Sequence, residues 1–386
     1  MGTCDSSQEA RHKLISSQNF NSSLTNNSFS SSSLPVISYK NIFEEKSDLM
    51  RLKNSSSNLS TDSSKYILSK EITKREDITK KYKLGKIMLG DGATSLVYVA
   101  ENFEKKKFAI KRISKGSLTL PRRNSVVVEA RVCQKLKNER IIKYYEIYED
   151  LNYISIVMEL GHTDLFELII NSPSYIIPED IAIEFLIEIF KSIDYLHSEK
   201  IIHCDIKPEN YVVIFDKKKN TIPHLKLIDF GNIRKMPQNK GQKLFNFSGT
   251  KEYMAPEALD NTGFDEKIDE WAAGIIMYNM LTGVDPFNAE DDMEYKDNIK
   301  FKEIKFNYIK NEKLRELNKK LLNRYAKNRI SVKEALQEIK IIKEEKNNIK
   351  NNNNSNINDN NNKNDIKEID DNWNIIKNKI SLVNLY

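Results

Sequence analysis

A chain of 386 residues with 39% hydrophobic content can bury a sizeable core, and its 61 basic against 55 acidic residues leave a net charge of only +6. That excess is spread along the chain with no clustered basic and stacking residues, which argues against nucleic acid as a partner. No apolar run approaches the roughly 20 residues of a spanning helix, and no secretory h-region follows the start. Cys4, Cys133 and Cys204 lie far apart without metal spacing, so the expected setting is a reducing, cytoplasmic one.

The first residues, Met1-Gly2-Thr3-Cys4-Asp5-Ser6, fit an N-myristoylation pattern, with Gly2 exposed once Met1 is removed. Cys4 stands close enough for palmitoylation after a first lipid has brought it to a membrane. One acyl chain binds only marginally and two anchor stably, so the expectation is a peripheral membrane protein held through Gly2 and Cys4. The Ser- and Asn-rich stretch that follows cannot bury enough surface to offset its ordering entropy, so residues 1–75 are expected to be disordered.

Order is expected to begin at Tyr82. Tyr82 to Ile87 alternates as a strand, and Leu89-Gly90-Asp91-Gly92-Ala93-Thr94-Ser95-Leu96-Val97 reads as a hairpin whose small residues let backbone N–H groups approach phosphate. Phe108-Ala109-Ile110-Lys111 is a strand ending in lysine. Val126 to Leu136 has helical spacing and carries Glu129, with Cys133 one turn further on the same face, read as a core cysteine. Tyr144 to Leu160 alternates turns with apolar strands. Asp164 to Asn171 and Glu179 to His197 have helical spacing, and Ile183, Leu186, Ile187, Phe190, Ile193 and Leu196 form a core-facing stripe.

Ile201 to Asn210 then sets an acid, a lysine and an asparagine in a Pro-containing loop behind two isoleucines. Asp205 can accept a hydroxyl proton, Lys207 can neutralise a phosphate oxygen, and Asn210 can hold a metal through its amide oxygen. Tyr211 to Phe215 and His224 to Ile228 read as a hairpin with an exposed tip at 216–223. Leu227-Ile228-Asp229-Phe230-Gly231, Gly249-Thr250, Ala255-Pro256-Glu257, Asp269 and Arg329 complete the series.

In this order the stretches resemble the eukaryotic protein kinases, over about two thirds of the chain. The resemblance implies an α+β, two-lobed kinase fold over residues 82–340, with a small β-rich N-lobe, a larger helical C-lobe and disordered termini. It implies ATP and Mg²⁺, with Leu89 to Val97 and Ala109 over the nucleotide, Met158 as gatekeeper, and hinge bonds from Glu159 and Leu160. Lys111 would hold the α and β phosphates, oriented by Glu129, and Asp229 with Asn210 would hold the metal. Asp205 would orient the acceptor hydroxyl and Lys207 would steady the γ-phosphoryl. Phe230 would pack behind Asp229, and Arg329 would pair with Glu257. Lys207, two residues after Asp205, and Gly249-Thr250 place the chain with Ser/Thr kinases, leaning towards the calcium/calmodulin-dependent group. No Gly follows Gly283, so no EF-hand is expected. Glu209 and Asp164 stand where relatives bind basic residues N-terminal to the phosphoacceptor. The alternative is a catalytically weak kinase-fold scaffold that binds nucleotide and partner proteins.

Two positions depart from the family. Cys204 replaces the arginine that pairs with an activation-loop phosphate, and Asn246 stands where relatives carry the phosphorylated Thr. Both ends of that switch are missing, so the loop is expected to order without phosphorylation. Beyond a helix from Ser331, residues 346–365 read as an Asn-rich tether. In 366–386, Ile366, Ile369, Trp373, Ile376, Ile380 and Val383 make an amphipathic helix expected to dock in cis or on a partner protein.

Overall fold

The structure, a computed structural model, describes residue 68 and residues 73–92, 95–215, 223–239 and 241–356. The acylation motif, Ala93-Thr94, the hairpin tip at 216–222, the Cys133 side chain and the amphipathic segment 366–386 lie outside the described residues. The described residues fall into two compact units, one made of those up to Gly161 together with Ile228–Gly231, the other of those within His162–Leu227 and from Asn232 onward.

The first unit is built on a five-stranded antiparallel sheet in the order β1-β2-β3-β5-β4. The strands are β1 (Tyr82–Gly92), β2 (Ser95–Asn102), β3 (Lys107–Ser114), β4 (Tyr144–Glu149) and β5 (Tyr153–Met158). Asn102 shapes the β2–β3 turn, its side-chain oxygen accepting from the N–H groups of Glu104 and Lys106. Helix α1 (Leu120–Lys135) begins before the apolar spacing at Val126 suggests, because Pro121 occupies its first turn, where a missing N–H costs nothing. Val126 and Ala130 seat α1 on Ile113, Ile147, Ile154 and Ile156. A second cluster gathers Ile78, Tyr82, Phe108, Ile110, Tyr148 and Val157, with Tyr82 edge-on to Phe108 at 5.2 Å. Order extends N-terminal to Tyr82, since Leu68 is buried and Lys74 bridges Tyr148 on β4.

The second unit is mainly helical. Its helices are α2 (Leu165–Ile170), α3 (Glu179–Ser198), α4 (Pro256–Leu259), α5 (Lys267–Thr282), α6 (Asp292–Phe301), α7 (Glu312–Leu321) and α8 (Val332–Asn356). Short strands complete it: β6 (Thr163–Asp164), β8 (Tyr211–Ile214) and β9 (His224–Leu227) in one sheet, and β7 (Ile201–Ile202) with β10 (Arg234–Lys235) in another. The α3 stripe from Ile183 to Leu196 is buried, as is α5 from Ile268 to Met280. Helix α5 stops at Gly283, whose φ of +72° suits glycine and where a Cβ would sit 2.6 Å from the Ser174 carbonyl.

Helix α8 differs from the expected tether, running on to Asn356 inside the Asn-rich stretch. Lys343 pairs with Glu184, and Lys346 with Glu179 and Asp180, so ion pairs to α3 hold the helix as far as the start of that stretch. Among the described residues, no helix is long and apolar enough to cross a membrane.

Candidate active site

In the first unit the central group is Lys111, which lies within β3 rather than at its end, opposite Val97 on β2 and Ile156 on β5. Its Nζ lies 2.8 Å from Glu129 Oε1 on α1 and 3.3 Å from Asp229 Oδ1. The side chains of Lys111 and Glu129 are only 8% and 2% exposed, so water screens this pair little. Burial alone would pull the Lys111 pKa down, but the Asp229 and Glu129 carboxylates outweigh it and hold the ammonium above the ordinary lysine range. Burial raises the Glu129 carboxyl, an effect the Lys111 ammonium opposes.

Asp229 adopts a left-handed φ of 59°, and its Oδ1 accepts from the Gly231 N–H at 3.2 Å. A Cβ at Gly231 would stand 3.2 Å from that oxygen and 3.6 Å from Arg122 Nη1, so glycine keeps room for both groups. Arg122 is a second cation near Glu129 that the motif reading did not single out. Phe230 is fully buried and edge-on to Tyr144 at 6.2 Å.

An apolar patch adjoins these charges. Ala109, Ile142 and Met158 are buried together, with Val97, Tyr144, Leu160 and Ile228 packed against them. Ile142, Tyr144 and Ile228 join this patch only through the fold, because their sequence spacing carries no signal. Gly90 pairs with Val97, Asp91 with Leu96 and Gly92 with Ser95, so the glycine-rich turn is a true hairpin with Leu89 exposed beside it. The Glu159 N–H donates to the Lys143 carbonyl at 2.8 Å, so a purine bond from Glu159 would use its carbonyl.

In the second unit, buried Ile201 and Ile202 anchor the loop that carries Asp205. Asp269 on α5, 1% exposed, accepts from the N–H groups of His203 and Cys204 at 2.8 and 3.0 Å and lies 3.0 Å from His197 Nε2. Three bonds to one buried carboxylate hold the turn in which Cys204 takes a φ of 65°. Burial, with Asp269 nearby, pushes the Cys204 thiol well above its usual range.

The Asp205 Oδ1 accepts from the Thr250 hydroxyl at 2.7 Å and from its N–H at 3.0 Å. Lys207 Nζ donates to the same hydroxyl at 2.8 Å. Asn210 Nδ2 donates to the Asp205 carbonyl at 2.7 Å, which leaves its Oδ1 as the end able to meet a cation. Asn210 in this unit and Asp229 in the first each carry a hard oxygen donor. Among the described residues no group of three His, Cys, Asp or Glu gathers as a cage.

The segment after Asp229 is tied down by contacts within itself and to residues 261–265, among them a Lys243–Asp265 ion pair. Arg234 Nη2 donates to the Asn246 carbonyl at 3.2 Å, and the Asn246 N–H donates to Asn261 Oδ1 at 3.0 Å. Leu244 and Phe264 exchange backbone bonds, and Ser248 Oγ donates to Asn232 Oδ1 at 3.3 Å. At Gly249 a Cβ would come within 2.3 Å of the Cys204 carbonyl, so this close approach requires glycine. Arg329 meets Glu257 with two bonds, at 2.7 and 3.1 Å. Asp164 caps α2 through the Glu167 N–H at 2.8 Å, and burial raises its pKa to about 7. Burial also raises the Glu209 carboxyl, opposed mainly by Lys207.

Residues 82–339 match the family described as "Protein kinase domain". The chain belongs to the protein kinase family. Among similar proteins, Serine/threonine-protein kinase D2 of Rattus norvegicus is 32% identical over 209 residues, which is 53% of this chain and 23% of that protein. Serine/threonine-protein kinase DCLK3 of Homo sapiens is 33% identical over 217 residues, 56% of this chain and 32% of that one. Serine/threonine-protein kinase D3 of Homo sapiens is 31% identical over 227 residues, 58% and 25% of the two chains. The matched part therefore spans only a quarter to a third of these relatives. Kinase membership accounts for the α+β architecture of a β-sheet lobe and a helical lobe.

Proposed function

We propose that this chain is an ATP-dependent Ser/Thr protein kinase. The observation that carries the reading is the buried Lys111–Glu129 ion pair at 2.8 Å, the form in which this lysine can hold phosphate. The Ser/Thr kinase names of its relatives support the acceptor class. Bound Mg²⁺ would neutralise phosphate charge, held by Asn210 Oδ1 and the Asp229 carboxylate. Lys111 would bind the α and β phosphates, and the Ala109–Met158 patch would cover the base. Asp205 would receive the acceptor hydroxyl and align it, much as it now holds the Thr250 hydroxyl at 2.7 Å, while Lys207 would steady the γ-phosphoryl. The bond from γ-phosphorus to the bridging oxygen breaks as the hydroxyl oxygen bonds to phosphorus, and the hydroxyl proton passes to Asp205.

The test is transfer from labelled ATP by the purified chain onto a peptide library with Ser, Thr or Tyr acceptors. Labelling of Ser and Thr peptides, enriched for basic residues N-terminal to the acceptor through Glu209 and Asp164, is the expected result. Nucleotide binding without any transfer would favour the scaffold reading instead.

The proposal includes independence from activation-loop phosphorylation. The Arg234–Asn246 bond and the Leu244–Phe264 bridge support it, because each ties the loop down through groups of the chain itself. Phosphatase treatment is accordingly expected to leave the rate unchanged. A large loss, restored by rephosphorylating Ser248 or Thr250, would refute this.

We further propose a membrane anchor at Gly2 and Cys4, supported by the sequence pattern and the two-chain arithmetic of acyl anchoring. In fractionated cells Gly2→Ala is expected to move the protein to the soluble fraction, and Cys4→Ser to weaken its retention. Full retention of the Gly2→Ala protein would rule the anchor out.

A further inference from the structure

We propose that the segment preceding the kinase domain is a brace for α1, with Leu68 as a positioning residue for the Lys111–Glu129 pair. Leu68 lies well before residue 82, where the family match begins, yet it is only 3% exposed. It completes the cluster formed by Val126 and Ala130 of α1, Leu118 before it, and Ile113, Ile147, Ile154 and Ile156 of the sheet. The core that seats α1 is therefore finished by a side chain from outside the matched domain.

Polar bonds fix the segment in register. The Leu68 N–H donates at 2.9 Å to Glu149 Oε2, and Lys115 Nζ donates at 2.9 Å to the other oxygen of the same carboxylate. Glu149 is 0% exposed, and a buried carboxylate persists only where donors replace its water. Lys74 then adds to β4, the edge strand of the sheet. Its N–H donates to the Ile147 carbonyl at 2.8 Å, and its carbonyl accepts from the Glu149 N–H at 2.9 Å. Thr73 Oγ1 donates to the Ile147 carbonyl at 3.2 Å, and Arg75 Nη2 to the Leu68 carbonyl at 3.2 Å.

The consequence for the site follows from helix geometry. Val126 stands three residues before Glu129 and Ala130 one after it, so the face that Leu68 supports adjoins the one carrying Glu129. Filling that pocket fixes the rotation and height of α1, and with them the 2.8 Å contact to Lys111. Emptying it leaves a void behind α1 that the helix can close only by shifting. The catalytic consequence rests on the kinase reading, but the brace itself does not.

The experiment uses the full chain with Leu68→Ala, Leu68→Glu and the conservative Leu68→Met. Hydrogen exchange is followed in α1 and in the loop 203–210, alongside ATP affinity, kcat and KM. Leu68→Ala is expected to speed exchange in α1 selectively, leave residues 203–210 at the wild-type rate, and weaken ATP binding about tenfold. Leu68→Met is expected to restore both properties. Should Leu68→Glu fail to fold, the Ala and Met variants carry the comparison. Wild-type α1 exchange and ATP affinity in Leu68→Ala would overturn the proposal, as would equal acceleration of α1 and residues 203–210. A wild-type chain that transfers no phosphate, but whose α1 still responds to Leu68→Ala, would overturn the kinase reading and leave the brace standing.

Discussion

Asp205→Asn is expected to slow phosphoryl transfer about a thousandfold while leaving the fold intact. The asparagine has the same shape, and an amide oxygen at the Oδ1 position can still accept the Thr250 hydroxyl and N–H. The Asp205 backbone carbonyl still receives Asn210 Nδ2. What disappears is the negative charge that draws the acceptor proton, together with the Oδ2 acceptor that Asn210 Nδ2 and Asn232 Nδ2 meet at 3.4 Å. Asp229→Asn is expected to produce a comparable loss through the metal. Lys111→Met should abolish activity as well, but with a side effect, because it leaves the buried Glu129 carboxylate beside Asp229 without its 2.8 Å cation. Removing one member of such a pair costs about 3–5 kcal/mol. Lys111→Met with Glu129→Gln should recover part of that stability and none of the activity. Paired measurements of thermal unfolding and turnover decide the matter. Near-normal turnover by Asp205→Asn, Asp229→Asn and Lys111→Met together would sink the kinase assignment.

The groups named in those variants were legible in the sequence because each sits in a short motif whose spacing is set by local backbone. Asp205, Lys207 and Asn210 share one loop, and the fold adds chiefly the Asp269 carboxylate that holds it. Partners drawn from distant segments left no such trace. Arg122 precedes the apolar period of α1, and nothing local marks it as a neighbour of Gly231. Leu68 follows Tyr66-Ile67 in a Ser-rich run whose composition alone predicts disorder, and its burial depends on a pocket made by residues about fifty to ninety positions away. Helix α1 starts before its apolar period does, because apolar spacing reports the packed face, whereas Pro121 and not packing sets the first turn. Up to Lys346, helix α8 is held by lysines that reach acids on α3, and spacing within one segment cannot show a partner on another.

Arg329→Met is expected to lower stability by about 3–5 kcal/mol, the cost of breaking a buried, hydrogen-bonded charge pair. Arg329 is almost fully buried, and its guanidinium makes two bonds to Glu257, at 2.7 and 3.1 Å. The same side chain donates to the Lys267 carbonyl at 2.6 Å and the Asn323 carbonyl at 3.0 Å, and lies 5.0 Å from the Trp271 ring centroid. A methionine fills similar volume but offers no donor, so one carboxylate and two carbonyls lose their partner together. For a domain of this size that corresponds to a fall in Tm of about 10 °C. Arg329→Lys should recover less than half of it, because one ammonium cannot reproduce a planar fork that serves three acceptors. Adding Glu257→Gln to Arg329→Met should cost less than the two single losses combined, since the second change removes a carboxylate that the first has already stranded. Glu257 lies in the first turn of α4, after the loop whose Thr250 hydroxyl meets Asp205. Activity measured well below the lowered Tm should therefore fall too, as the loop loses its fixed end. A Tm within about 2 °C of wild type in Arg329→Met would show that this pair does not hold the segment.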